Sequence, residues 1–168
     1  HIIDGVPHPL PSEGGHANFA PNNDLEIALL QYLKREYPVS VSIERLLCGP
    51  GLLNIYKFLR DTGVMSESPL VLERLANETP AAVISTLGMQ KADPLCEKAL
   101  DMFVSILGAH AGNQVLTFLA TGGVYLGGGI PPKIIEKLKD GTFMRAFLEK
   151  QRWKEVAEMT PVYVIRDD

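Results

Sequence analysis

The chain reads as an α/β protein weighted toward helix, and three observations predict it. Short β-type runs lie near both ends, at Ile2-Ile3 and Val6–Leu10 and again at Val124–Gly127 and Val162–Ile165. Between them, apolar residues recur at helical spacing. Two pairs in that middle stretch, Thr79-Pro80 and Asp93-Pro94, join a capping residue to a proline suited to the first helical position.

The elements follow in order. Ile2-Ile3, the turn pair Asp4-Gly5 and the run from Val6 to Leu10 predict a hairpin, with Pro7 and Pro9 confining the second strand to a sheet edge. Leu25, Ala28, Leu29, Tyr32 and Leu33 fall on one helical face, with Asn22 or Asn23 as the cap and Pro38 beyond the end. Ser42 caps a short helix, Ile43–Leu47, which Gly49-Pro50-Gly51 is expected to stop. A third helix buries Leu52, Ile55, Tyr56 and Leu59 and ends at Gly63. After a loop over 63–70, Leu70–Ala76 predicts a short helix, and the two proline-capped helices cover 81–89 and 94–119. Gly108, Ala109, Ala111 and Gly112 in the longer one leave room for another element to pack closely. Val124–Gly127 predicts a buried strand, followed by helices over 132–139, 142–149 and 151–158 and a final strand at Val162–Ile165. Trp153 and the phenylalanines are expected in core or interface packing.

Composition excludes several function classes. A length of 168 residues with 46% hydrophobic content suits one domain with a sizeable core. The net charge of −4 and the scattered Lys and Arg offer nothing to nucleic acid or an anionic membrane. Lys98, Asp101 and His110 interrupt the longest apolar stretch, so no span of a bilayer is predicted. Cys48 and Cys96 stand apart from each other and from any His cluster, which predicts two reduced thiols and no metal site.

Chemistry concentrates in three segments. In Pro11-Ser12-Glu13-Gly14-Gly15-His16, a carboxylate and an imidazole three positions apart flank two glycines. Glu13 can accept bonds from two hydroxyls, and His16 can donate or accept. The set suits a neutral polyol better than a phosphate, which calls for Arg, Lys or a bare helix N-terminus. Taken alone, the segment could equally be a solvated surface turn. Glu44, in Ser42-Ile43-Glu44-Arg45-Leu46-Leu47-Cys48-Gly49-Pro50-Gly51, is a second carboxylate at a helix start, where the dipole alone favours an acid. Gly127-Gly128-Gly129, after an apolar strand and before Ile130-Pro131-Pro132, is either a tight turn or a backbone that a flat ligand can approach.

In that order, Glu-Gly-Gly-His, Glu-Arg-x-Leu-x-Gly-Pro-Gly and Gly-Gly-Val-x-x-x-Gly-Gly-Ile-x-Pro resemble the bacterial glucokinase family, with Phe19-Ala20-Pro21 and Pro161-Val162-Tyr163 extending the match. The resemblance implies an actin-like (ribonuclease H-like) fold, of which residues 1–168 would be the C-terminal large domain, incomplete and carrying a helix-rich insertion. It implies ATP-dependent phosphorylation of glucose with Mg²⁺ in a cytoplasmic homodimer. It makes Glu13, His16 and Glu44 sugar ligands and Gly127, Gly128 and Gly129 the adenosine turn. The family's phosphate loops and catalytic Asp precede the matched segments, so this chain by itself is expected to be inactive and to hold no catalytic base. A non-catalytic sugar-sensing module of a kinase-like regulator is the alternative.

Overall fold

The computed structural model describes residues 2–3, 6–9 and 11–166. The short β1 (Ile2–Ile3) and β2 (Val6–Pro7) pair antiparallel, Ile3 opposite Val6. The second strand is thus shorter than the run to Leu10 suggests: His8 and Pro9 lie outside it, as a proline-interrupted edge dictates. The turn expected at Asp4-Gly5, and Leu10 itself, lie outside the described residues.

The middle of the chain is helical, and its caps explain where each helix starts. In α1 (Asp24–Leu33), the Asn23 side chain accepts from Glu26 N at 3.0 Å, and the Glu26 carboxylate returns to Asn22 N at 2.7 Å. This reciprocal arrangement satisfies donors that a helix start otherwise leaves open. Gly49-Pro50-Gly51 does not stop a helix. It begins α2 (Gly49–Asp61), and the expected helix at Ile43–Leu47 is one 3₁₀ turn, Ile43–Arg45. Proline lacks an N–H that the first helical turn does not use, and Cys48 Sγ accepts from Gly51 N at 3.3 Å as the cap. Gly51 must be glycine, because a Cβ there would overlap the Leu46 backbone. The predicted face of α2 is buried as expected, with Phe58 added to it.

Ser68 caps α3 (Pro69–Leu75). In α4 (Pro80–Met89), Thr79 occupies the cap position without a side-chain bond. In α5 (Pro94–Phe118), Asp93 accepts from Cys96 N at 2.9 Å. Leu119 closes α5 in the left-handed region at φ 48°. The long α5 is the axis of the domain and packs against α2, α4 and α7 (Thr142–Leu148). Its small residues have the role their sequence suggests, since a Cβ on Gly108 would overlap the Phe143 carbonyl and one on Gly112 would lie 2.5 Å from that of Phe147. Two helices approach this closely only across glycine. Leu29, Leu46, Ile55, Leu59, Leu95 and Phe147 are fully buried around this axis.

Residues 131–139 form a 3₁₀ turn and α6 (Ile135–Lys139), and residues 151–158 a 3₁₀ turn and α8 (Lys154–Glu158). The strands β3 (Val124–Leu126) and β4 (Val162–Val164) run parallel, Tyr125 beside Tyr163. The expectation of a buried strand at β3 is corrected: Tyr125 is 62% exposed and stacks on Tyr163 at 4.9 Å, while Val124 and Leu126 face the core. Only the inward face has a core to cover it. Trp153 and Phe118, expected in core or interface packing, are exposed and so lie outside the core of this chain.

Candidate functional site

Two segments far apart in sequence build an acidic rim. Gly14–His16 form a single 3₁₀ turn, with His16 N donating to Glu13 O at 2.9 Å. The chain then extends and pairs with the approach to the second segment, Phe19 N to Val41 O and Ile43 N to Ala17 O, both at 2.8 Å. Buried Phe19, Val41 and Ile43 anchor that pairing in the core. The turn Ile43–Arg45 follows at once and brings Glu44 beside the first turn. His16 Nδ1 lies 3.3 Å from Glu44 Oε2, and His16 Nε2 lies 3.8 Å from Glu13 Oε2. All three side chains are more than half exposed. The two turns lie side by side at Gly15, where a Cβ would stand in ordinary contact, 3.9 Å from that of Glu44.

The Glu44 turn rests on α2. Cys48 Sγ donates to Glu44 O at 3.0 Å, Asn54 Nδ2 donates to Arg45 O at 3.0 Å, and the Arg45 guanidinium lies over the Tyr37 ring. Exposed pairs of this kind contribute little to stability. The arrangement leaves two carboxylates and an imidazole open on one side, able to accept and donate bonds to a polyhydroxy ligand. Among the described residues no group of three or more His, Cys, Asp or Glu is arranged to hold a metal ion. No helix among them is long and apolar enough to cross a membrane. Cys48 and Cys96 are free thiols, and burial pushes Cys96 up to about 12.

The glycine triplet follows β3. Gly128 has φ +88°, and a Cβ on Gly128 or Gly129 would meet nothing within 4 Å. Gly129 borders a groove of about 580 Å³. Gly127 and Gly128 do not line it, and Gly127 instead lies against Ile165. Ile130 and Lys133 also line the groove, together with Ala82 and Thr86 of α4, Gln90 at its C-cap, and Gly49. These α4 residues were missed from sequence. Their i, i+4, i+8 spacing is the one available signal, a stripe of small and polar side chains beside the buried Val83, Ile84 and Leu87.

Residues 3–168 match the glucokinase family over nearly their whole length. The chain belongs to the glucokinase family. Among its relatives, the glucokinase of Nostoc punctiforme is 40% identical over 167 residues, covering 92% of this chain and 49% of the relative. The crystal structure of a glucokinase from an Antarctic psychrotroph superimposes with a TM-score of 0.80 at 32% identity, covering 94% of this chain and 46% of that one. A glucokinase from Balamuthia mandrillaris in complex with glucose gives the same TM-score at 20% identity, which speaks for the fold alone. The fold of this glucokinase-family chain is thus that of glucokinases, mostly helical with a small parallel sheet. The chain spans about half the length of the glucokinases it matches.

Proposed function

We propose that the whole protein carrying this chain is an ATP-dependent glucokinase, and that residues 1–168 are the C-terminal large domain of its actin-like fold with a helix-rich insertion. The observation that carries the reading is the meeting of Glu13, His16 and Glu44 on one open rim of a glucokinase-family chain. In this reading Glu13 and Glu44 accept bonds from vicinal hydroxyls of glucose, and His16 completes the set. A sugar epimer would leave a carboxylate without its partner, the kind of mismatch that discriminates strongly. These residues orient the sugar for transfer of the γ-phosphoryl of ATP to its primary hydroxyl; none of them is the base. The turn Gly127–Gly129 and the groove beyond Gly129 suit the adenosine, an apolar, open-backbone surface for a flat base. No Asp or Glu lines that groove, so in this reading the Mg²⁺ that accompanies ATP would be held by the nucleotide's phosphates, water and residues outside this groove.

The test is ADP release by the whole protein, expected to saturate with glucose. Turnover of another hexose but not glucose would sink the sugar assignment. Glucose binding without ADP release would favour the sugar-sensing module instead. The nucleotide assignment is tested by Gly128→Val, expected to raise the KM for ATP far more than that for glucose. A branched residue at φ +88° is strained, so the control is an unchanged thermal midpoint with glucose binding retained. A folded variant with a normal ATP response reduces Gly127–Gly129 to a turn.

A further inference from the structure

The loop that continues from His16 has a second contact that its pairing with Val41–Ile43 does not explain. Its outer side lies over α5 and leaves a cleft of about 30 Å³. Phe19, Ile43 and Ile106 are the cleft's apolar lining, and Asn18 and Asn22 from the loop line it together with His110 and Asn113 from α5, the Asn22 amide donating to Ala20 O at 3.5 Å. Space of this size, bounded by several amide and imidazole groups, suits an ordered water with two to four polar partners. His110 is half-buried, and its Nε2 lies 3.4 Å from Gln114 Nε2 on the next turn of the same helix. With the Gln114 amide donating, Nε2 is the acceptor and the ring proton sits on Nδ1.

We propose that His110 is a positioning residue for the sugar rim: its neutral imidazole, with Asn113 and water in the cleft, holds Asn18–Asn22 against α5 and so fixes the turn that carries His16. The inference rests on the sugar-site reading above. Protonation opposes this arrangement, because a charged ring would present Nε2 as a second donor toward Gln114 and would need a counter-charge. The cleft supplies none. On the elements packed around it, Glu26 of α1 already bonds Asn22 N and Asn23 Nδ2. Lys150 donates to Ala109 O at 3.1 Å, and Glu149 lines the adjoining cleft with it. Glu44 turns toward His16, and Arg45 lies over Tyr37. Burial alone lowers the pKa of His110, with no neighbouring charge contributing. Native His110 therefore takes up its proton only below the ordinary imidazole range, so the hold on the loop is present at neutral pH and weakens on acidification.

The experiment compares wild type, His110→Leu and His110→Gln in the whole protein by glucose calorimetry and by amide hydrogen exchange over residues 17–22. His110→Leu is expected to weaken glucose binding about three- to tenfold and to speed exchange over 17–22, with the KM for ATP unchanged. His110→Gln, which bonds but cannot charge, is expected to restore near-wild-type affinity at neutral pH. It should also flatten the loss of affinity that wild type shows as pH falls below the ordinary imidazole range. The two proteins differ only at position 110, so the difference between the profiles isolates His110. Superimposable wild-type and Gln profiles, or unchanged exchange in the Leu variant, overturn the proposal. Absence of glucose binding by wild type overturns the sugar-site reading instead, and the exchange comparison then decides the His110 contact by itself.

Discussion

Glu44→Gln in the whole protein is expected to raise the KM for glucose about 10- to 100-fold, the range for losing bonds to a charged acceptor. The KM for ATP should stay as it is. The carboxylate is 55% exposed and its recorded side-chain partner is His16 at 3.3 Å, so the amide should fold normally with an unchanged thermal midpoint. Because the bond exists before and during transfer, KM should move more than kcat. Discrimination against epimers should fall with it, read as the ratio of kcat/KM for glucose and a second hexose. A folded Glu44→Gln variant with wild-type glucose kinetics would remove Glu44 from the sugar site, however close it lies to His16.

Gly108→Val is expected to cost roughly 3 kcal/mol of stability, the upper range for overpacking. For a chain of this size that corresponds to about 6–12 °C in the thermal midpoint. The cause is local: the added carbon would overlap the Phe143 carbonyl, and neither helix can yield without moving its backbone. The comparison is Gly122→Ala, where a Cβ meets nothing within 4 Å and the change should stay within about 0.5 kcal/mol. Equal midpoints for Gly108→Val and wild type would mean that α7 does not pack on α5 as described.

The helices were the most legible part of the sequence because their signals are local. The buried face of α2 and the cap at Asp93 each need only a few neighbouring residues to declare themselves. Gly49-Pro50-Gly51 was misread because the same residues punctuate either end of a helix. What decides is the Leu46 backbone lying against Gly51, together with a cysteine acting as the cap, and neither is visible in a periodic pattern. In the candidate site, the spacing of Glu13 and His16 gave a pocket chemistry. Only likeness to the family connected Glu44 to it, since the connection runs through the pairing of Ala17–Phe19 with Val41–Ile43 across the chain. The groove beside Gly129 was illegible because it is the space between α2, α4, α5 and the segment 129–134, not a run of residues. The exposure of Tyr125 was missed for a related reason: an apolar triplet between glycines does not say which faces are covered.

The brevity of β3 and β4 has a consequence for heating. Three residue pairs and one tyrosine stack join these strands, and Val124, Leu126, Val162 and Val164 seat their inner face on the helical core. Helix α5, by contrast, is enclosed along most of its length. The outer face of the ribbon is open while the middle of α5 is enclosed, so amide exchange is expected to be faster in β3 than in the middle of α5. The turn Gly127–Gly129 hangs from β3, whereas the Glu44 turn is seated on the first turn of α2. If the glycine turn holds the nucleotide as proposed, heating is expected to loosen that grip before it disturbs the rim of Glu13, His16 and Glu44.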